Sequence, residues 1–224
     1  MEEFLLASAL IIANYFAGSI SSAVLIARLV KKVDIRKVGY KTAGGSNVAE
    51  NIGVKWGVIV ALIDVCKGIP VLLFSKYLGV EDIQQQFIAL AAIVGHCYPI
   101  WFRFAGGRGI GVLMGVSLVQ YPTYALIGAG IFLISLPTWA LKKYKGINIK
   151  VLSSPILTLV ALAVINYLTI QSFDPYDEIL ATLSFLFIIT RRVSARSYEY
   201  TNKKYNPLKL FLSRVLFDNS EVLK

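Results

Sequence analysis

Two stretches of the chain carry the residues best suited to chemistry: 39–47 (GYKTAGGSN) and 95–109 (GHCYPIWFRFAGGRG). Glycines permit positive φ and let backbone N–H groups converge into an anion-binding nest. Arg108 stands between Gly107 and Gly109, just ahead of an apolar segment that opens at Ile110. A phosphate placed there would meet free N–H groups, the positive end of a helix and a guanidinium. The competing reading of such small residues in a membrane protein is close helix packing. His96, the single histidine, is a candidate proton acceptor or an orienting hydrogen-bond partner within its turn. Asp64 and Lys67 lie three apart on one helix face and can pair there. Ser153 and Ser154, ahead of Pro155, either cap a helix or line a polar pocket beside it. Arg191, Arg192 and Arg196 form a charge run that stops transfer across a membrane or touches substrate. One His and two Cys leave no zinc cluster, and neither a metal nor another cofactor is expected.

The elements that must position these residues follow from composition. The 224 residues are 56% hydrophobic and only 16% charged, with a mean hydropathy of +0.65. That balance excludes disorder, and Cys66 and Cys97 alone cannot make a disulfide scaffold. A helix needs roughly 20 apolar residues to cross the hydrocarbon. Seven segments are expected to do so: 4–30, 54–74, 83–100, 110–119, 124–141, 151–170 and 179–189. The first opens with Glu2 and Glu3 and is too long for a cleaved signal peptide. Of the 23 Lys and Arg, all but Lys67 and Lys76 fall in connections on one face of this arrangement. The fold class is therefore an all-α polytopic membrane protein of about seven helices, N-terminus outside and C-terminus cytosolic. The same count puts both glycine-rich stretches on the cytosolic side. Non-helical backbone is expected in both, since protein or a polar cavity would satisfy its amides. The net charge of +10 is then explained by topology and anionic lipid, and nucleic-acid binding is excluded. Residues 1–197 form one membrane domain. Residues 198–224 form a cytosolic tail whose 206–217 stretch reads as an amphipathic helix on anionic lipid.

At these motifs the sequence resembles the bacterial acyl-phosphate:glycerol-3-phosphate acyltransferases (PlsY), from about Gly18 to Arg196. GSISSAVLIARL from Gly18 resembles the family's first helix. DIRK at 34–37, followed by Gly39, Gly44, Ser46 and Asn47, resembles its first cytosolic motif. Asp64, Lys67 and Gly68 fall on a D-x-x-K-G of its second helix. Gly95, His96, Pro99, Phe104, Gly106, Gly107 and Gly109 match the second cytosolic motif, with Arg108 in place of a lysine. The sequence departs from the family at three places. Its SGN is here Tyr40, Lys41 and Thr42, a basic residue is Glu50, and its H-R-x-N is Arg191, Arg192, Val193 and Ser194.

The resemblance implies acyl transfer from an acyl phosphate, held in the membrane, to the 1-hydroxyl of cytosolic glycerol 3-phosphate. The product would be lysophosphatidic acid for phospholipid synthesis, made at the cell membrane by cytosol-facing loops. The catalytic candidates are then His96, which matches the family's motif, and Ser194, which stands where the family has asparagine. The substrate-binding candidates are Arg36, Gly44, Gly45, Ser46, Asn47, Gly106, Gly107, Arg108, Gly109 and Arg192, with Lys41 and Thr42 at departing positions and Ser154 from the pocket reading of its own segment. Two alternatives stay open. One is a divergent relative that acylates another polyol phosphate, and the other is a non-catalytic binder or transporter of an anionic lipid or metabolite.

Overall fold

The computed structural model describes residues 1–39, 41–133, 160–165, 167–168, 171 and 175–194. Ser153, Ser154, the 142–150 connection and the 198–224 tail lie outside them. The described residues are helical, with no strand. In chain order the helices are α1 (Glu2–Ser19), α2 (Ser22–Lys31), α3 (Gly45–Asn51), α4 (Val54–Cys66), α5 (Ile69–Tyr77), α6 (Asp82–Cys97), α7 (Ile110–Gln120), α8 (Pro122–Leu133) and α9 (Pro175–Ser194). Short 3₁₀ turns occupy Ile35–Lys37 and Ile100–Phe102.

Among the described residues, two runs are long and apolar enough to cross a membrane, Glu2–Lys31 and Val54–Tyr77. Neither is the uninterrupted helix expected from hydropathy. The first is broken at Ile20 and Ser21, which take extended backbone. Its sequence there, GSISS, is short on side chains that hold a helix. Ser19 also donates its hydroxyl to the Tyr15 carbonyl at 2.8 Å, a bond that competes with helical geometry. The second run turns at Lys67–Gly68, because Pro70 has no N–H to offer the carbonyl of Cys66.

The glycine-rich stretches also differ from expectation. Gly45, Ser46 and Asn47 are helical, forming the first turn of α3, and Gly95–Cys97 close α6 rather than open a loop. Gly44, extended at φ −149°, is where the chain enters α3. Irregular backbone is confined to the stretch before Gly44 and to Tyr98–Gly109, where Pro99 prevents α6 from continuing.

The central contact is α1 against α6, and it is made by absent side chains. A Cβ on Gly18 would strike the Ala92 carbonyl, and one on Gly95 would strike the Tyr15 carbonyl. The two backbones therefore touch, and Asn14 Nδ2 donates across them to Ile88 O at 2.8 Å. Helix α7 approaches α4 in the same way, with Gly115 against Val65 O. One buried core gathers Leu10, Leu72, Ile88, Ile93, Val112, Val116 and Ile188. A second, under the first loop, gathers Val24, Ala27, Ile35, Ala43, Val48 and Val60. Small residues thus serve packing at Gly18, Gly95 and Gly115, as membrane interfaces without a hydrophobic drive between helices require.

Gly95→Ala tests this contact. The added methyl must push apart two backbones, so unfolding in mixed micelles should show a loss of about 1–3 kcal/mol. Wild-type stability in that titration would mean α1 and α6 do not meet at Gly95.

Candidate active site

The site is built where the connection between α2 and α3 lies against the connection between α6 and α7. Arg36 joins them. Its Nε and NH2 donate to the two oxygens of Asp34 at 2.9 and 2.7 Å, a fork matched to a carboxylate. Its NH1 donates to the carbonyls of Phe102 and Ala105 at 2.7 and 3.4 Å, and the guanidinium lies 5.8 Å from the centroid of the Phe102 ring. Arg28 lies over the same ring and 3.8 Å from Asp34. Held by Arg36, the Asp34 carboxyl titrates well below the ordinary carboxylate range, at about 2. Arg36 is therefore a strut between two loops.

Asn47 shapes the first loop from inside. Its buried amide donates to the carbonyls of Ile35, Val38 and Thr42 at 2.9–3.0 Å, and its oxygen accepts from Asn51 at 2.9 Å. Gly39 turns at φ +54° directly over these amides, where any Cβ would strike Asn51 and Asn47. Lys41 takes φ +55°, a conformation that costs a non-glycine residue on the order of 1 kcal/mol or more. The resembled motif has glycine at that position. Tyr40 lies outside the described residues.

The second loop is held from three sides. Ala43 N–H reaches Gly106 O at 3.5 Å, and Gly107 N–H donates to His96 O at 3.1 Å. Arg191 NH2 donates to Gly106 O at 3.4 Å while its guanidinium lies over Tyr98. A Cβ on Gly107 would collide with His96 Nε2 and with Ala43 O. The loop thus lies against the imidazole on one side and the first loop on the other. Arg108 is half-buried, and Gly109 at φ +84° leads into α7, whose first N–H groups have no intrahelical acceptor.

Behind the loop lies a buried polar chain. Ser22 Oγ donates to Asp64 Oδ1 at 2.8 Å, Lys67 Nζ stands 3.2 Å from the same oxygen, and Lys67 Nζ lies 2.8 Å from His96 Nδ1. The expected Asp64–Lys67 pair is present, and it is joined to His96. Among the described residues, no group of three or more His, Cys, Asp or Glu gathers as a metal site.

The structure thus joins the two loops through Arg36 and Ala43, with Thr42 and Asn47 bonded within the first, Gly106 and Gly107 in the second and His96 behind them. Gly44, Gly45 and Ser46 lead into α3, where Gly45 faces α4. Arg192 and Ser194 end α9, but their side chains, like all of Ser154, lie outside the described residues. Sequence reasoning missed Arg191 as a loop contact. It stood in a charge run with a ready topological explanation, and only the packing of α9 on α6 singles it out. It also took Arg36 and Asn47 for substrate contacts, whereas most of their donors serve the loops.

A family model described as glycerol-3-phosphate acyltransferase matches residues 8–198. The chain belongs to this family. It is similar to the glycerol-3-phosphate acyltransferase of Anaeromyxobacter sp. (strain Fw109-5), 40% identical over 133 residues, covering 58% of this chain and 66% of that one. It is also similar to that of Aquifex aeolicus (strain VF5), 39% identical over 136 residues, covering 60% and 69%. For glycerol-3-phosphate acyltransferase 4 of Dehalococcoides mccartyi (strain CBDB1), identity is 43% over 115 residues and coverage 51% and 50%. The match thus spans about half to two thirds of these curated relatives. Two crystal structures of PlsY (YgiH), an integral membrane glycerol 3-phosphate acyltransferase, share the fold. Its glycerol 3-phosphate form superposes with a TM-score of 0.70 at 31% identity, covering 83% of this chain and 88% of that one. Its lysophosphatidic acid form superposes at 0.68 and 27%, covering 92% and 98%. The family likeness gives the chain an integral-membrane, helical architecture.

The Asp34 clamp has a pH signature. A carboxyl whose folded pKa is depressed stabilises the fold fully above its unfolded value near 3.8, and that contribution fades as pH falls toward 2. Unfolding of the purified protein should therefore become easier between about pH 4 and 2. Asp34→Asn should remove part of that dependence. Identical pH profiles for the two proteins would rule the clamp out.

Proposed function

We propose that the chain is an acyltransferase that moves an acyl group from an acyl phosphate in the membrane to the 1-hydroxyl of cytosolic glycerol 3-phosphate. Family membership supports this reading. One observation carries it: the two motif loops lie in contact through Ala43, Gly106 and Gly107, beside Arg108 and the opening of α7. In the transfer, the glycerol hydroxyl oxygen bonds to the acyl carbon and the bond from that carbon to the phosphate oxygen breaks. The hydroxyl proton leaves with the released phosphate. An acyl phosphate is already activated, so positioning and charge stabilisation supply most of the catalysis. The substrate phosphate acts as the proton acceptor.

Gly106, Gly107, Arg108 and Gly109 then hold phosphate, with the N–H groups that open α7. Lys41, Thr42, Gly44, Gly45 and Ser46 form the neighbouring wall, kept in shape by Arg36 and Asn47. Ser154, Arg192 and Ser194 complete the proposed set on sequence grounds, Ser194 at the position of the family's asparagine. His96 stands directly behind the phosphate loop. The products are lysophosphatidic acid and phosphate, and no cofactor takes part. We also propose seven spans with the N-terminus outside, loops facing the cytosol, and a C-terminal surface helix on anionic lipid.

Acyl transfer by the purified protein from palmitoyl phosphate to a panel of phosphorylated polyols is the direct test. Glycerol 3-phosphate should be the preferred acceptor, and absence of any acylated product would refute the activity. Within that assay, Arg108→Ala should cost on the order of 1.5–3 kcal/mol of phosphate binding, about ten- to a hundredfold. Arg108→Lys keeps the charge without the planar fork and should retain much more function. Two folded variants that both behave as wild type would remove the phosphate cradle.

Topology is tested by cysteine labelling in a background free of the native thiols. Sites at 142–150 should react from the cytosolic side and sites at 174–178 from the opposite side. Labelling of both from one side would contradict seven spans.

A further inference from the structure

The buried chain behind the phosphate loop has a feature that pairing alone does not explain. Lys67 Nζ has three acceptors for its three protons: Asp64 Oδ1 at 3.2 Å, Ile20 O at 3.1 Å and His96 Nδ1 at 2.8 Å. An ammonium carries donors only, so Nδ1 must accept and a neutral imidazole must carry its proton on Nε2. A doubly protonated ring would set N–H against N–H at 2.8 Å, next to a cation. Asp64, 3.7 Å from His96 Nδ1, is already shared between Ser22 and Lys67. The ring's far edge lies against Gly107. The small space a Cβ would need there is bounded by His96 Nε2 and by Ala43 O.

We propose that Lys67 is a positioning residue. By fixing the tautomer of His96, it sets the edge on which Gly107 rests and so the shape of the phosphate loop. The inference rests on the acyltransferase reading and assigns that site a support reaching across three helical segments. The side chains involved are buried, with Asp64 5% and His96 7% exposed, and His96 is the one that lies against the loop, at Gly107.

The single histidine makes the test direct. Protein labelled with ¹⁵N-histidine gives one imidazole signal pair, whose shifts identify the protonated nitrogen. Wild type should show Nε2 protonated and Nδ1 as acceptor across neutral pH, and a protonated Nδ1 would overturn the proposal before any variant is made. Lys67→Met removes the donor. The folded fraction should lose its tautomer preference and show at least a tenfold higher KM for glycerol 3-phosphate, with a smaller change in kcat. Lys67→Arg, which restores donors, should bring KM back to within about threefold of wild type. A purely structural role predicts less folded protein with an unchanged KM, and that result would also overturn the proposal. Failure of the acyltransferase reading would look different: wild type would neither acylate nor bind glycerol 3-phosphate, whatever tautomer is found.

Discussion

The constraint on which the rest of the structure depends is the Lys67 ammonium, placed inside an apolar run where an unpaired cation would be prohibitive. Each of its acceptors belongs to a different segment. Asp64 comes from its own helix, Ile20 O from the break between α1 and α2, and His96 from the end of α6. Moving any of these segments strands a buried charge or carbonyl, which costs several times a typical hydrogen bond. The helix packing around Gly18, Gly95 and Gly115 brings the segments close enough for this to work. Packing and polar satisfaction thus specify one another.

From that anchor the site is built outward in layers. The imidazole supports Gly107, Gly107 lies against Ala43, and the first loop is folded around the Asn47 amide. Arg36 ties the rim together by using a carboxylate, two carbonyls and a ring at once. Most of the polar side chains in this region therefore hold other protein atoms, and the surface proposed for a phosphate draws on backbone N–H groups at the opening of α7, with Arg108 beside it. Such a surface is pre-organised, because its dipoles are fixed before a substrate arrives.

Much of this was legible in the sequence. Composition and charge placement pointed to a helical membrane protein, and the spacing of Gly106, Gly107, Arg108 and Gly109 marked a candidate phosphate loop. The Asp64–Lys67 pair followed from helical spacing. Three things did not. Hydropathy averages over a window, so the interruptions at Ile20–Ser21 and Lys67–Gly68 vanish inside two long apolar runs. Helix α3 was hidden because Gly44 and Gly45 read as loop residues, although the first can lead into a helix and the second begin it. The link from Lys67 to His96 spans 29 positions and depends on how α6 packs, which no local pattern encodes.

The break after Ser19 bears on how the chain enters the bilayer. Helix α2 has ten residues, about 15 Å, and cannot cross hydrocarbon alone. When the first segment leaves the ribosome, Lys67 has not yet been made, and the Ile20 carbonyl has no acceptor role to play toward it. An unsatisfied carbonyl in lipid is expensive, so without Lys67 the 2–31 run would favour a continuous helix, with that carbonyl bonded along it. In the folded protein the ammonium of the second segment gives that carbonyl a partner at the break. The break in the first segment is thus stabilised by a residue that the chain supplies only in the second.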